Sequence, residues 1–133
     1  MTIKVVRDMK TPMRHDIHIG PHRIATDASK EGGGEASAPE PHDFYDAALG
    51  ACKALTVLGY ARRKGMPLEN VDISVDRDAT EERAGTYRLS VVLTLTGNLS
   101  DAQREDLLRV AAKCPIHKLM TTVTTEITTS LST

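Results

Sequence analysis

The period of the apolar positions changes several times along the chain, and each change marks an element. Between Ile3 and Asp27 the extended pieces IKVV, DIHI and HRIAT are separated by the turn pairs Thr11-Pro12 and Gly20-Pro21, which predicts a small antiparallel meander. SKEGGGEASAPEP, residues 29–41, reads as a loop, because three consecutive glycines and prolines at 39 and 41 exclude helix and central strand. From His42 to Lys64 proline is absent, and Phe44, Ala48, Ala51, Leu55 and Leu58 recur at helical intervals until Gly65 and Pro67 stop the run. Ala47, Ala48, Gly50, Ala51, Ala54 and Gly59 keep much of this helix smooth, so a close-packed neighbour is expected, a partner helix from another chain being one such neighbour.

Beyond Pro67 the period falls to two. Val71, Ile73 and Val75 alternate with Asp72, Ser74 and Asp76, and Leu89, Val91, Leu93 and Leu95 alternate with mostly polar residues. With AGT at 84–86 between them, these runs predict a hairpin. Ser100 and Gln103 form a capping-box signature at the head of DAQREDLLRVAAKC, where Glu105 and Arg109 stand in i,i+4 register. Pro115 limits that second helix, because the residue before a proline is disfavoured in the helical region. The tail TTVTTEITTSL, residues 121–131, alternates and is β-branched, so a closing strand is expected. The order β-β-β, α, β-β, α, β predicts a single α+β domain over 1–133, with no internal repeat, no βαβ unit and no dinucleotide-type glycine motif.

Charge and composition narrow the function. With 17 basic against 18 acidic residues the net charge is -1, which gives no bulk field toward nucleic acid or an anionic membrane. No run approaches the roughly 18 apolar residues of a membrane span, and MTIKVVRDMK lacks a signal-peptide h-region, so a cytoplasmic protein is expected. Two cysteines are too few for a disulfide scaffold, which turns attention to thiol chemistry.

Cys52 lies within the long helix, about ten residues from its start and outside the reach of the helix dipole. A reactive thiolate there needs a cation from elsewhere, and Arg14, Arg7 and Arg23 are the candidates. Lys53 points about 100° away around the helix and is a weaker one. Cys114 sits at the helix break before Pro115, a position that suits a resolving thiol. Three readings are open at this level: buried packing cysteines, a redox pair, or a metal site built from Cys114, His117 and the histidines at 15, 18, 22 and 42. A lone CxxH without a matched second pair is a poor zinc pattern.

EPHDFYDAALGACKALT, YARRKGMPLENVDISVDRD and LSDAQREDLLRVAAKCPIHKLM together resemble the OsmC/Ohr family, the osmotically inducible protein C and organic hydroperoxide resistance proteins, in its OsmC-like branch. The resemblance runs from about Arg14 to the C-terminus and implies an OsmC/Ohr-like fold: an intertwined homodimer whose two long central helices are wrapped by antiparallel β-sheets. It implies a thiol-dependent peroxidase that reduces organic hydroperoxides, with Cys52 as the peroxidatic and Cys114 as the resolving cysteine. Arg14 would hold the thiolate. The family places a glutamate shortly before the cysteine, whereas here the run is Pro41-His42-Asp43, so Asp43 is the nearest match; a plain first-turn charge is its other reading. The family implies no metal or organic cofactor, and an external dithiol reductant such as a lipoylated protein. A second hypothesis is a non-catalytic dimer of the same fold that binds a small apolar or thiol-reactive ligand.

Overall fold

The computed structural model describes residues 1–132 and divides into two compact units, Met1–Asp46 and Ala47–Thr133. In the first, β1 (Ile3–Arg7), β2 (His15–Ile19) and β3 (His22–Thr26) form the antiparallel meander that the sequence predicts, in the order β1-β2-β3. Val5 pairs with Ile17, and Ile17 with Ile24, so one face of the sheet carries the branched side chains. Gly20, at a φ of 56°, opens the two-residue loop between β2 and β3, where a left-handed residue is required.

The loop after β3 is organised by a buried carboxylate. Asp27 accepts hydrogen bonds from the backbone N–H groups of Ala28 (2.8 Å), Glu35 (3.3 Å) and Ser37 (3.1 Å), and from the Ser37 hydroxyl (2.6 Å). Gly34 belongs to this fold of the chain: a Cβ there would collide with the Ala28 carbonyl. The loop therefore closes around one side chain rather than wandering.

The long helix, α1, spans Pro41–Arg63, within a residue of the expected limits. Pro41 is its first residue, not part of the loop, because proline at the first helical position loses no hydrogen bond and arrives with its φ preset. The buried face differs from the one expected. Leu49, Gly50, Lys53, Val57 and Ala61 are buried, whereas Ala48, Ala51 and Leu55 lie on an exposed stripe, Leu55 being 72% exposed.

In the second unit β4 (Leu68–Asp78) and β5 (Arg88–Gly97) form the antiparallel hairpin, with Val71 opposite Leu95, Ile73 opposite Leu93 and Val75 opposite Val91. The strands run further than the turn at 84–86 suggested, and a single 3-10 turn, Glu82–Ala84, sits in their connection. α2 (Asp101–Ala111) begins at the predicted capping box: the Ser100 hydroxyl accepts from the Gln103 N–H, and the Gln103 side chain accepts from the Ser100 N–H. Arg109 pairs with Asp106 at 3.3 Å, i,i+3, instead of with Glu105. Val57, Ala61, Leu107 and Ala111 form the core of this unit, with Tyr60, Leu93 and Leu95 packed around them. Gly50 lets α1 approach β4, since a Cβ there would stand 2.9 Å from Val75 Cγ2.

Two expectations at the C-terminus are corrected. A short helix, α3 (Pro115–Thr121), follows α2 where only a stop was read. Pro115 ends one helix and, as a first-position residue, begins the next. The expected strand over 121–131 is absent among the described residues: Thr121 ends α3, and residues 124–132 have no regular secondary structure and are exposed. Alternation gives a strand only where a neighbouring strand takes up its backbone groups. The α+β class and antiparallel sheets stand as expected.

Candidate active site

The four residues singled out from the sequence divide between the units: Arg14 and Asp43 in Met1–Asp46, Cys52 and Cys114 in Ala47–Thr133. In the first unit Arg14 immediately precedes β2. Its guanidinium donates to the carbonyl (3.0 Å) and hydroxyl (2.9 Å) of Ser37, and that hydroxyl donates in turn to Asp27. The Ser37 hydroxyl foremost, with the backbone N–H groups of Ser37, Ala28 and Glu35, holds the Asp27 carboxyl down at about 2. Arg14 is thus positioned by the same carboxylate that closes the loop.

The other two candidate arginines are engaged within the meander region. Arg7 donates to the carbonyls of Thr11 and Pro12, both at 3.3 Å, and Arg23 pairs with Asp16 at 2.6 Å. Asp43, in the first turn of α1, accepts from the backbone N–H of Glu40 at 2.9 Å, closing the turn that starts the helix. A cavity of about 310 Å³ in this unit is lined by Met13, His15, Asp27, Ser29, Glu40 and His42.

In the second unit both thiols are free. Cys52 is half-buried on α1, and Cys114 is 0% exposed at the junction of α2 and α3. Cys114 has the extended backbone (φ -65°, ψ 148°) that a following proline favours. It caps α3, its Sγ accepting from the His117 N–H at 3.4 Å. His117 therefore braces the turn through its backbone.

Lys53, discounted from its place on the helical wheel, turns inward. Only 5% exposed, its ammonium donates to the Ala111 carbonyl at 2.7 Å and lies 2.9 Å from His117 Nδ1. Ala111 and His117 flank Cys114 on either side, so Lys53 fastens the turn of α1 that carries Cys52 to the junction that carries Cys114. One signal of this is legible in the sequence: a charged residue inside an otherwise small and apolar helical run. Tyr60 joins the core, and its hydroxyl donates to Asp106 at 2.8 Å. Among the described residues no group of three or more His, Cys, Asp or Glu gathers.

Residues 32–130 match the family of OsmC-like proteins. The chain belongs to that family. No curated protein matches this OsmC-like chain in sequence. Solved structures agree with it in fold. An osmotic stress induced and detoxification response protein from Psychrobacter arcticus superposes with a TM-score of 0.74 at 22% identity, over 90% of this chain and 87% of that one. An organic hydroperoxide resistance protein OsmC from Legionella pneumophila gives 0.64 at 23%, over 92% and 90%. The organic hydroperoxide resistance protein OhrB of Bacillus subtilis gives 0.57 at 18%, over 92% of each. Among the described residues no helix of the OsmC-like chain is long and apolar enough to cross a membrane.

Proposed function

We propose that this OsmC-like protein is a cysteine-dependent peroxidase that reduces organic hydroperoxides through Cys52 and Cys114. The observation that carries the reading is the Lys53 bridge, which ties the Cys52 turn of α1 to both sides of Cys114. Family membership and the organic hydroperoxide resistance proteins among its structural relatives support it. The Cys52 thiolate attacks the terminal peroxide oxygen, the O–O bond breaks, and the alkoxide leaves as the alcohol after taking up a proton. Cys52 is left as a sulfenic acid. The Cys114 thiol then condenses with it, forming the Cys52–Cys114 disulfide and releasing water, and an external dithiol such as a dihydrolipoyl group restores both thiols.

In this reading Arg14 stabilises the thiolate and Asp43 is its acidic partner. No metal or organic cofactor takes part. The active form is a homodimer in the cytosol, a reading supported by the exposed Ala48, Ala51 and Leu55 stripe on α1, which offers a second copy a smooth apolar surface.

A single-turnover experiment tests the chemistry. Fully reduced protein is mixed with cumene hydroperoxide or hydrogen peroxide, and thiols are counted before and after. Wild type should lose both thiols of each chain, faster with the organic peroxide. Cys52→Ser should be inert, and Cys114→Ser should stop at a sulfenic acid trapped by dimedone. Thiols that survive excess peroxide in the wild type overturn the proposal.

A further inference from the structure

The Lys53 ammonium that bridges the two thiol-bearing turns also borders an apolar cavity. The cavity, of about 240 Å³, lies wholly within the second unit. Its apolar walls include Leu49, Leu89, Val91 and Leu93, and Lys53 and His117 bring its polar groups. Those two are in contact with each other, Nζ to Nδ1 at 2.9 Å, so the polarity of the cavity is gathered at one point.

Lys53 has more to offer than it uses. An ammonium carries three N–H donors. One goes to the Ala111 carbonyl and one to His117 Nδ1, while the third has no acceptor among the described residues. Both acceptors are neutral: a peptide carbonyl, and an imidazole nitrogen that must lack a proton to accept. Neither cancels the positive charge, and a charge on a residue as buried as Lys53 is costly unless an anion sits beside it. The neighbourhood thus asks for one negative group with an apolar body. Anions without such a body, phosphate for example, would leave the leucine and valine wall uncovered.

We propose that this cavity binds a short-chain monocarboxylate, whose carboxylate takes the third Lys53 N–H and whose hydrocarbon tail lies along Leu89, Val91 and Leu93. The size agrees. At roughly 30 Å³ per non-hydrogen atom, the volume a water molecule occupies in the liquid, the cavity holds about eight such atoms, the number in hexanoate. The site uses neither thiol, and it shares Lys53 and His117 with the bridge between the Cys52 and Cys114 turns.

The test titrates hexanoate, hexan-1-ol and hexylamine into the reduced full-length protein and follows backbone amides by heteronuclear NMR. Hexanoate should give saturable shifts centred on Lys53, His117 and residues 89–93, with affinity at least about tenfold above that for the alcohol, and hexylamine should give none there. Lys53→Met should weaken hexanoate by about tenfold or more and bring acid and alcohol level. Because removing a buried lysine can unsettle the fold, Val91→Phe serves as an independent variant: it fills the tail space, keeps the ammonium, and should abolish the shifts. Equal affinity for acid and alcohol, shifts centred elsewhere, no binding, or wild-type binding by Val91→Phe each overturn the proposal.

Discussion

Single residues decide how the loop before α1 behaves with pH. Asp27 holds three backbone N–H groups and a hydroxyl, and its carboxyl is lowered from its ordinary value to about 2. A depressed carboxylate adds stability that is complete above its unfolded pKa, near about 4. That stability is lost as pH falls through about 2. Asp27→Asn should therefore lower the melting temperature at neutral pH and flatten its fall between about pH 4 and pH 2, measured by thermal denaturation across that range. Arg14 shares the consequence, because its anchor, Ser37, is itself held by Asp27. If the proposed peroxidase uses Arg14, Asp27→Asn should also slow the first thiol oxidation, with the later disulfide step unaffected.

Elements show what a sequence pattern can and cannot settle. The limits of α1 were legible because they depend on local chemistry: no proline inside, glycine and proline beyond Lys64. Its buried face was not. Small residues surround the helix, so apolar periodicity offers more than one stripe, and the stripe that is buried contains Lys53, which hydrophobicity counts against it. Cys114 was legible as a helix break, whereas α3 was not, since one proline reads equally as an end and a beginning. Of the proposed site, the two thiols stood out in the sequence and Arg14 came from the resemblance, whereas the Lys53 to His117 contact joins residues far apart in sequence and left no periodic trace. Gly50 carries a prediction at this scale. A methyl group there meets Val75 at 2.9 Å, and both belong to packed elements. Gly50→Ala should destabilise the fold by about 1–3 kcal/mol, the usual range for overpacking, read from the urea midpoint. Gly50→Ala combined with Val75→Ala should recover part of that loss, because the second change makes the space.

At the scale of the molecule, α1 carries an exposed stripe of small and apolar side chains. Ala48, Ala51 and Leu55 follow each other at three- and four-residue steps, and Leu55 alone is 72% exposed. Short side chains at such steps let two helix axes come close, and a leucine following two alanines gives a shape that fills the groove of a facing helix. The proposed homodimer uses this stripe: a two-fold axis beside Ala51 would set each copy's stripe against the other's, making the contact self-complementary. Leu55→Glu tests it. The charge would be pressed against the apolar stripe of the other copy and lose the solvent that keeps it tolerable on a free helix. Sedimentation velocity should find wild type as a dimer and Leu55→Glu as a monomer, with far-ultraviolet circular dichroism unchanged where α1 is stable alone. A dimer that survives Leu55→Glu would remove this stripe from the interface, and a monomeric wild type would remove the dimer.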